Sequence, residues 1–146
     1  MMDREMMTEL LGFGVLFLAS VQDIRKREIP VMVFAAAAVT GTLSVLLTMT
    51  DELQSAALSI IPGILLLAAA FLSREGIGYG DGLLVLLLGP VYGWMRLSAG
   101  ICVAFLLTAL VCVVLLVLRR VHRSSRLPFV PFLTAAMGVI HFVYSG

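Results

Sequence analysis

Charge is scarce in this chain. Of 146 residues, 13% are Asp, Glu, Lys or Arg and 61% are hydrophobic, a composition that excludes an ordinary soluble domain. A basic excess is missing too: the net charge is +1, and no nucleic-acid partner is expected, because such proteins carry a clear positive face. Cysteine is limited to Cys102 and Cys112. These two share one apolar segment and stand about 15 Å apart along a helix rising about 1.5 Å per residue, too far to bridge, so packing is their expected role. The two histidines, His122 and His141, form no H-E-x-x-H pair, which argues against a zinc peptidase. No G-x-S-G element offers a serine nucleophile. Strand-like alternation of polar and apolar residues, the mark of a membrane barrel, is absent as well.

What the chain has instead is long apolar runs, six of them, over residues 6–21, 29–49, 53–72, 77–94, 97–118 and 127–144. Each is close to the roughly 20 residues that cross about 30 Å of hydrocarbon as a helix. Lipid offers no partner to an open backbone, so helices are the expected solution. The flank before the first run, MMDREMMTE, carries acidic residues and no cleavage site follows, so that run is read as a membrane helix and not a signal peptide. The expectation is therefore an all-α polytopic membrane protein with six transmembrane helices, residues 1–146 forming one domain embedded in a lipid bilayer. Pro62 and the Gly89-Pro90 pair are expected to kink their helices.

Basic residues orient the bundle. Arg25, Lys26, Arg27, Arg74, Arg119, Arg120, Arg123 and Arg126 all fall in loops on one side, and only Arg4 and Arg96 fall on the other, beside the acidic turn TMTDELQS. The bias of such residues toward the cytoplasm places both termini outside.

Against this apolar background the carboxylates stand out. Glu9 falls near the outer end of the first helix, Asp23 at its inner end, and Asp81 at the inner start of the fourth, within GIGYGDGLL. A carboxylate at membrane depth costs a few kcal/mol and usually faces protein or water for a functional reason. Asp23 has a plainer alternative, solvation or pairing with the adjacent Arg25, Lys26 or Arg27. Around Asp81, Gly76, Gly78, Gly80 and Gly82 leave space and ease backbone movement, which makes this segment a candidate gate. They do not form a phosphate cradle, since a G-x-G-x-x-G run would need glycine where Leu83 stands. Tyr79 either packs beside Asp81 or sits at the membrane interface. Asp23, Glu28, Glu75 and Asp81 lack a metal-loop spacing, so no metal is expected.

Two carboxylates at one level suggest acid–base chemistry on water: one stays charged and takes a proton from water, while the other stays neutral and donates to a carbonyl oxygen. A non-enzymatic alternative is a transporter or assembly subunit that uses the same groups for protons or cations. Transporters tend to place such groups near mid-membrane, whereas these lie toward one face.

The segment SVQDIRKREIP resembles the first aspartate motif of bacterial type IV prepilin peptidases, and GYGD at 78–81 is similar to their G-x-G-D motif. LPFVPFLTAA at 127–136 resembles the start of the family's last helix. The resemblance implies an intramembrane aspartyl endopeptidase that removes the cytoplasmic leader of prepilins or pseudopilins, in the inner membrane with its site at the cytoplasmic face. Asp23 and Asp81 would be catalytic, with Gly78, Tyr79 and Gly80 touching substrate and no cofactor required. The chain departs from the family pattern at Val31, where asparagine is common, and at Leu83, where lysine is common. It also lacks the paired C-x-x-C motifs of larger members that methylate the new amino terminus, so a compact enzyme with peptidase activity only is expected.

Overall fold

The computed structural model describes residues 4–26, 28–47, 53–73, 78–120 and 127–146. Arg27, residues 48–52 of the acidic turn, Arg74, Glu75, Gly76 and Ile77 of the expected gate, and His122, Arg123 and Arg126 lie outside them. All regular structure among the described residues is helical: α1 (Arg4–Lys26), α2 (Val31–Leu47), α3 (Leu53–Ser59), α4 (Ile61–Leu72), α5 (Tyr79–Val117) and α6 (Val130–Ser145). The runs Met6–Lys26, Gln54–Leu72 and Tyr79–Val117 are long and apolar enough to cross a membrane, and Val31–Leu47 and Val130–Ser145 are shorter apolar helices. Large apolar side chains such as Phe17, Leu18, Phe71, Met95, Leu106 and Phe142 face outward, as lipid-facing positions do. Three long apolar helices and two shorter ones with outward apolar side chains are consistent with a multi-pass membrane protein.

Helix ends follow the backbone's needs. Pro30 closes the short link after α1 and its carbonyl accepts from Val33 N–H at 2.9 Å. Pro62, at the start of α4, has no N–H to give and crowds the preceding turn. The helix accordingly breaks at Ile60, whose N–H bonds Ala57 O at 3.3 Å in a tighter turn. Pro90 lies inside α5, and the break between the fourth and fifth apolar runs falls at Gly93, with φ 73 and ψ 165. That conformation is open essentially to glycine alone. Just before the break, Ser44 Oγ donates to Pro90 O at 3.1 Å.

Gly93 reverses the chain. As one straight helix, the 39 residues of α5 would run about 58 Å, nearly twice the hydrocarbon thickness. Instead, the start of α5 lies at the Asp23 end of α1, Tyr92 and Arg96 lie against Gly12 and Glu9 near its other end, and Phe105 stacks on Phe129 with ring centroids 5.1 Å apart. α5 is therefore two antiparallel arms, residues 79–92 and 94–117.

The first arm is the centre of the bundle. Its contacts with α2 pair Phe34 with Gly80, Gly41 with Leu87 and Ser44 with Pro90, a constant offset of 46 residues that only parallel helices give. Its contacts with α3 and α4 pair Ser59 with Gly89, Gly63 with Leu86 and Leu67 with Gly82, a descending order that marks antiparallel packing. Small residues at each crossing let backbones meet, which is how helices gain packing in lipid. Leu84, Val85 and Leu88 of this arm are nearly inaccessible, together with Leu16, Leu97, Leu133 and Val130. Both cysteines lie on the second arm; Cys112 is half-buried, while Cys102 is exposed and so does not take the packing role expected of it.

Candidate functional site

Thr8, Gly12, Val15, Leu16, Ala19, Ser20 and Asp23 form the buried stripe of α1, spaced by three or four residues as one helix face requires. Asp23 is the last member, so its side chain points into the protein and is only 8% exposed. Ile24, Arg25 and Lys26 point outward, and the two cations sit in the last turn, where the helix dipole favours positive charge. The sequence alternative in which Asp23 is simply solvated does not describe this placement.

The carboxylate meets the beginning of α6. There Pro128 and Pro131 bracket the first turn, and Val130, at the first helical position, has an N–H with no intrahelical acceptor. That N–H donates to the Asp23 carboxylate. The other oxygen, Oδ2, is buried and has no hydrogen-bond partner among the described residues. A buried carboxylate oxygen without a donor is costly, and it is where a water or a substrate group would gain most.

Asp81 arrives from the opposite side. Gly78 is the N-cap of α5, with extended backbone and no side chain to cap the helix. Asp81 N–H bonds Gly78 O at 3.2 Å, which turns the Asp81 carboxyl back over the helix start. Asp81 is half-buried, and its carboxylate and that of Asp23 are near enough to interact electrostatically.

Each glycine of GYGDG has its own reason. A Cβ on Gly78 would stand 3.1 Å from Asp81 Oδ2, one on Gly80 would make ordinary contact at 3.4 Å with Ile29 and Phe34, and one on Gly82 would press at 3.0 Å on the Leu67 backbone. Gly78→Ala is thus expected to push the Asp81 carboxylate by a few tenths of an ångström and slow the chemistry about tenfold, given how steeply rate falls with misplacement. Gly80→Ala should stay within about threefold of the parent. Steady-state rates of the two variants against a common substrate check this; equal rates would contradict it. Tyr79 is 46% exposed at the rim.

The structure thus brings Asp23, Asp81 and Gly78 together, with Tyr79 and Gly80 beside them. The Val130 N–H belongs to the same site and was not foreseen, because a backbone donor leaves no mark in the sequence beyond the prolines that end one helix and begin the next. At the far end of the bundle lies a second polar group that sequence reasoning left apart. Glu9 pairs with Arg96 and with His141, whose Nδ1 is 3.2 Å away.

The type IV leader peptidase family matches residues 10–143. Among curated relatives, the prepilin leader peptidase/N-methyltransferases of Aeromonas hydrophila and Pseudomonas aeruginosa are 38% identical over 63 residues, and that of Pseudomonas putida 41% over 63. The matched stretch is 43% of this chain and spans about a fifth, 22%, of each relative's length. No solved structure gives a significant match.

Proposed function

Because the chain belongs to the type IV leader peptidase family, we propose that it is an aspartyl endopeptidase of the inner membrane, cutting the leader from type IV prepilins or pseudopilins, with Asp23 and Asp81 as the catalytic pair. The observation that carries this reading is the convergence of two carboxylates from separate helices, one of them holding a buried oxygen without a donor.

In this reading the charged aspartate removes a proton from water as the oxygen attacks the scissile carbonyl. The neutral aspartate donates its proton to the carbonyl oxygen. Collapse of the tetrahedral intermediate breaks the C–N bond, the proton taken from water passes to the leaving amine, and one hydroxyl proton of the intermediate returns to the aspartate that had donated. Val130 N–H holds Asp23 in place throughout, and Gly78 gives Asp81 room. A peptide must present its carbonyl free of its own helical hydrogen bonds, so the substrate is taken in extended form, along Gly78, Tyr79 and Gly80 at the rim.

The arms alternate in direction, and both aspartates share one end of the bundle with Arg25, Lys26, Arg119 and Arg120. This supports six spans in one domain over residues 1–146, with both termini outside and the site at the cytoplasmic face. In a variant freed of its native cysteines, a cysteine in place of Ser145 should label from outside and one in place of Ser73 should not; the reverse pattern would overturn the orientation.

The activity itself is tested by incubating purified protein with a peptide in which a short basic leader precedes an apolar helix. The expected product pair arises from one cut just before the apolar stretch. An intact peptide in the presence of folded protein would refute the reading.

A further inference from the structure

The polar cluster at the far end of the bundle joins two of the helices that meet at the aspartates, α1 and α6, to the start of the second arm of α5. Glu9 belongs to α1, Arg96 to the start of the second arm of α5, three residues beyond the Gly93 reversal that ends the first arm, and His141 to α6. Glu9 is 12% exposed, one oxygen pairing with Arg96 and the other with His141. The Arg96 guanidinium also lies 5.7 Å over the Tyr144 ring of α6, within range of a cation–π attraction.

The opposite ends of these arms carry the site. α1 ends with Asp23, the first arm of α5 begins with Asp81, and α6 begins with Val130, whose N–H binds Asp23. Along α1, Glu9 and Asp23 are about 21 Å apart at about 1.5 Å per residue, and Val130 and Tyr144 span the same length along α6. α1 and α6 are therefore fastened at both ends, and the first arm of α5 is fastened at its start by Asp81 and at its finish through the Gly93 turn to Arg96.

Between the ends one polar contact crosses from α6 to α1, where Thr134 Oγ1 donates to Leu16 O at 3.2 Å; the other seam contacts are apolar and supply less direction. Leu16, Leu88, Leu97 and Leu133 fill the seam, and apolar side chains in lipid lose little if one helix slides by a turn. The crossing of α1 with the first arm is close, with Gly12 against Val91 and Tyr92, where a Cβ would stand 2.8 Å from the Val91 side chain. A slip of one turn would move a residue about 5.4 Å along the axis and carry Asp81 out of reach of Asp23. Arg96 and His141 are 38% and 48% exposed, so their pairing with Glu9 is a poor source of net stability, and a well-attested use of such polar contacts is to fix register.

We propose that Glu9, Arg96 and His141 are positioning residues that set the axial register of α1, the first arm of α5 and α6, and so hold Asp81 opposite Asp23 from the far side of the membrane. The kinetic part of this inference rests on the peptidase reading; the geometric part does not.

The test uses full-length protein in nanodiscs, with Cys102 and Cys112 replaced by alanine and spin labels on cysteines introduced at the exposed positions Ile24 and Leu83, next to the two aspartates. Arg96→Gln and Glu9→Gln are each expected to broaden and shift the 24-to-83 distance distribution. In protein without labels they should lower kcat about tenfold while KM stays within about threefold. Arg96→Lys, which keeps the charge, should preserve the distance and keep kcat within about threefold. Unchanged distances in both glutamine variants overturn the proposal, whatever the rates do. If a glutamine variant does not fold, Arg96→Lys decides: a folded lysine variant with a shifted distance also overturns it. A parent enzyme with a narrow distance but no cleavage would refute the peptidase reading and leave the register result to be read from the distances alone.

Discussion

Asp23→Asn and Asp81→Asn are each expected to lower kcat by about a thousandfold, the scale that a positioned acid or base contributes, while leaving KM for a leader peptide within a few fold. The amide keeps the shape of the carboxyl but can neither take water's proton nor deliver one. The two variants should differ in their effect on the folded protein. Asp23 is buried against the start of α6, and an asparagine there still accepts from Val130 N–H through its amide oxygen, so α6 stays docked. Asp81 is half-buried at a helix start, and its replacement costs only part of a favourable dipole interaction. Thermal unfolding in detergent should therefore shift little for either. Near-normal turnover in one single variant would break the two-aspartate mechanism, and a large loss of stability in both would reduce the result to misfolding.

The largest structural effect is expected from Gly63→Ala. A Cβ at this position falls on the backbone of Leu86, so no side-chain adjustment relieves the clash, and α4 must separate from the first arm of α5. Overpacking of this kind costs about 1–3 kcal/mol and occasionally more. Because that arm begins with Asp81, displacement reaches the site: cleavage should fall at least about tenfold alongside a clear drop in thermal stability. The comparison is Gly14→Ala, whose Cβ would meet nothing within 4 Å and should leave both measures unchanged. A Gly63→Ala protein as stable and active as its parent would refute the close helix crossing.

Much of this arrangement was legible in the apolar runs. Helical segments, the break before Pro62, and the two aspartates at the ends of their runs all follow from spacing and from the cost of burying charge. The apolar runs end at Trp94 and resume at Leu97, close to the reversal at Gly93, while Gly89-Pro90 suggested only a kink within its helix. Proline removes one donor and leaves the helix passable where neighbours cover the freed carbonyl, whereas a positive φ changes the chain's direction. Nothing in the letters VYGWM says which glycine takes that φ. His141 seemed a solitary histidine for a similar reason: its pairing with Glu9 joins residues far apart in sequence and depends on the register of three arms, which apolar periodicity leaves open. Asp23 was visible as a carboxylate, and its burial became clear only once α1's stripe could be followed to its last turn.

The central claim, that Asp23 and Asp81 jointly hold the attacking water and the scissile carbonyl, is tested most directly with a leader peptide whose scissile amide is replaced by a secondary alcohol. Such a group imitates the tetrahedral intermediate, and a site complementary to that state should bind it at least about a hundredfold more tightly than the uncleaved peptide. The account predicts tight competitive binding to the parent protein, lost in both Asp23→Asn and Asp81→Asn. Binding no tighter than substrate, or equal binding to the parent and both variants, would contradict it.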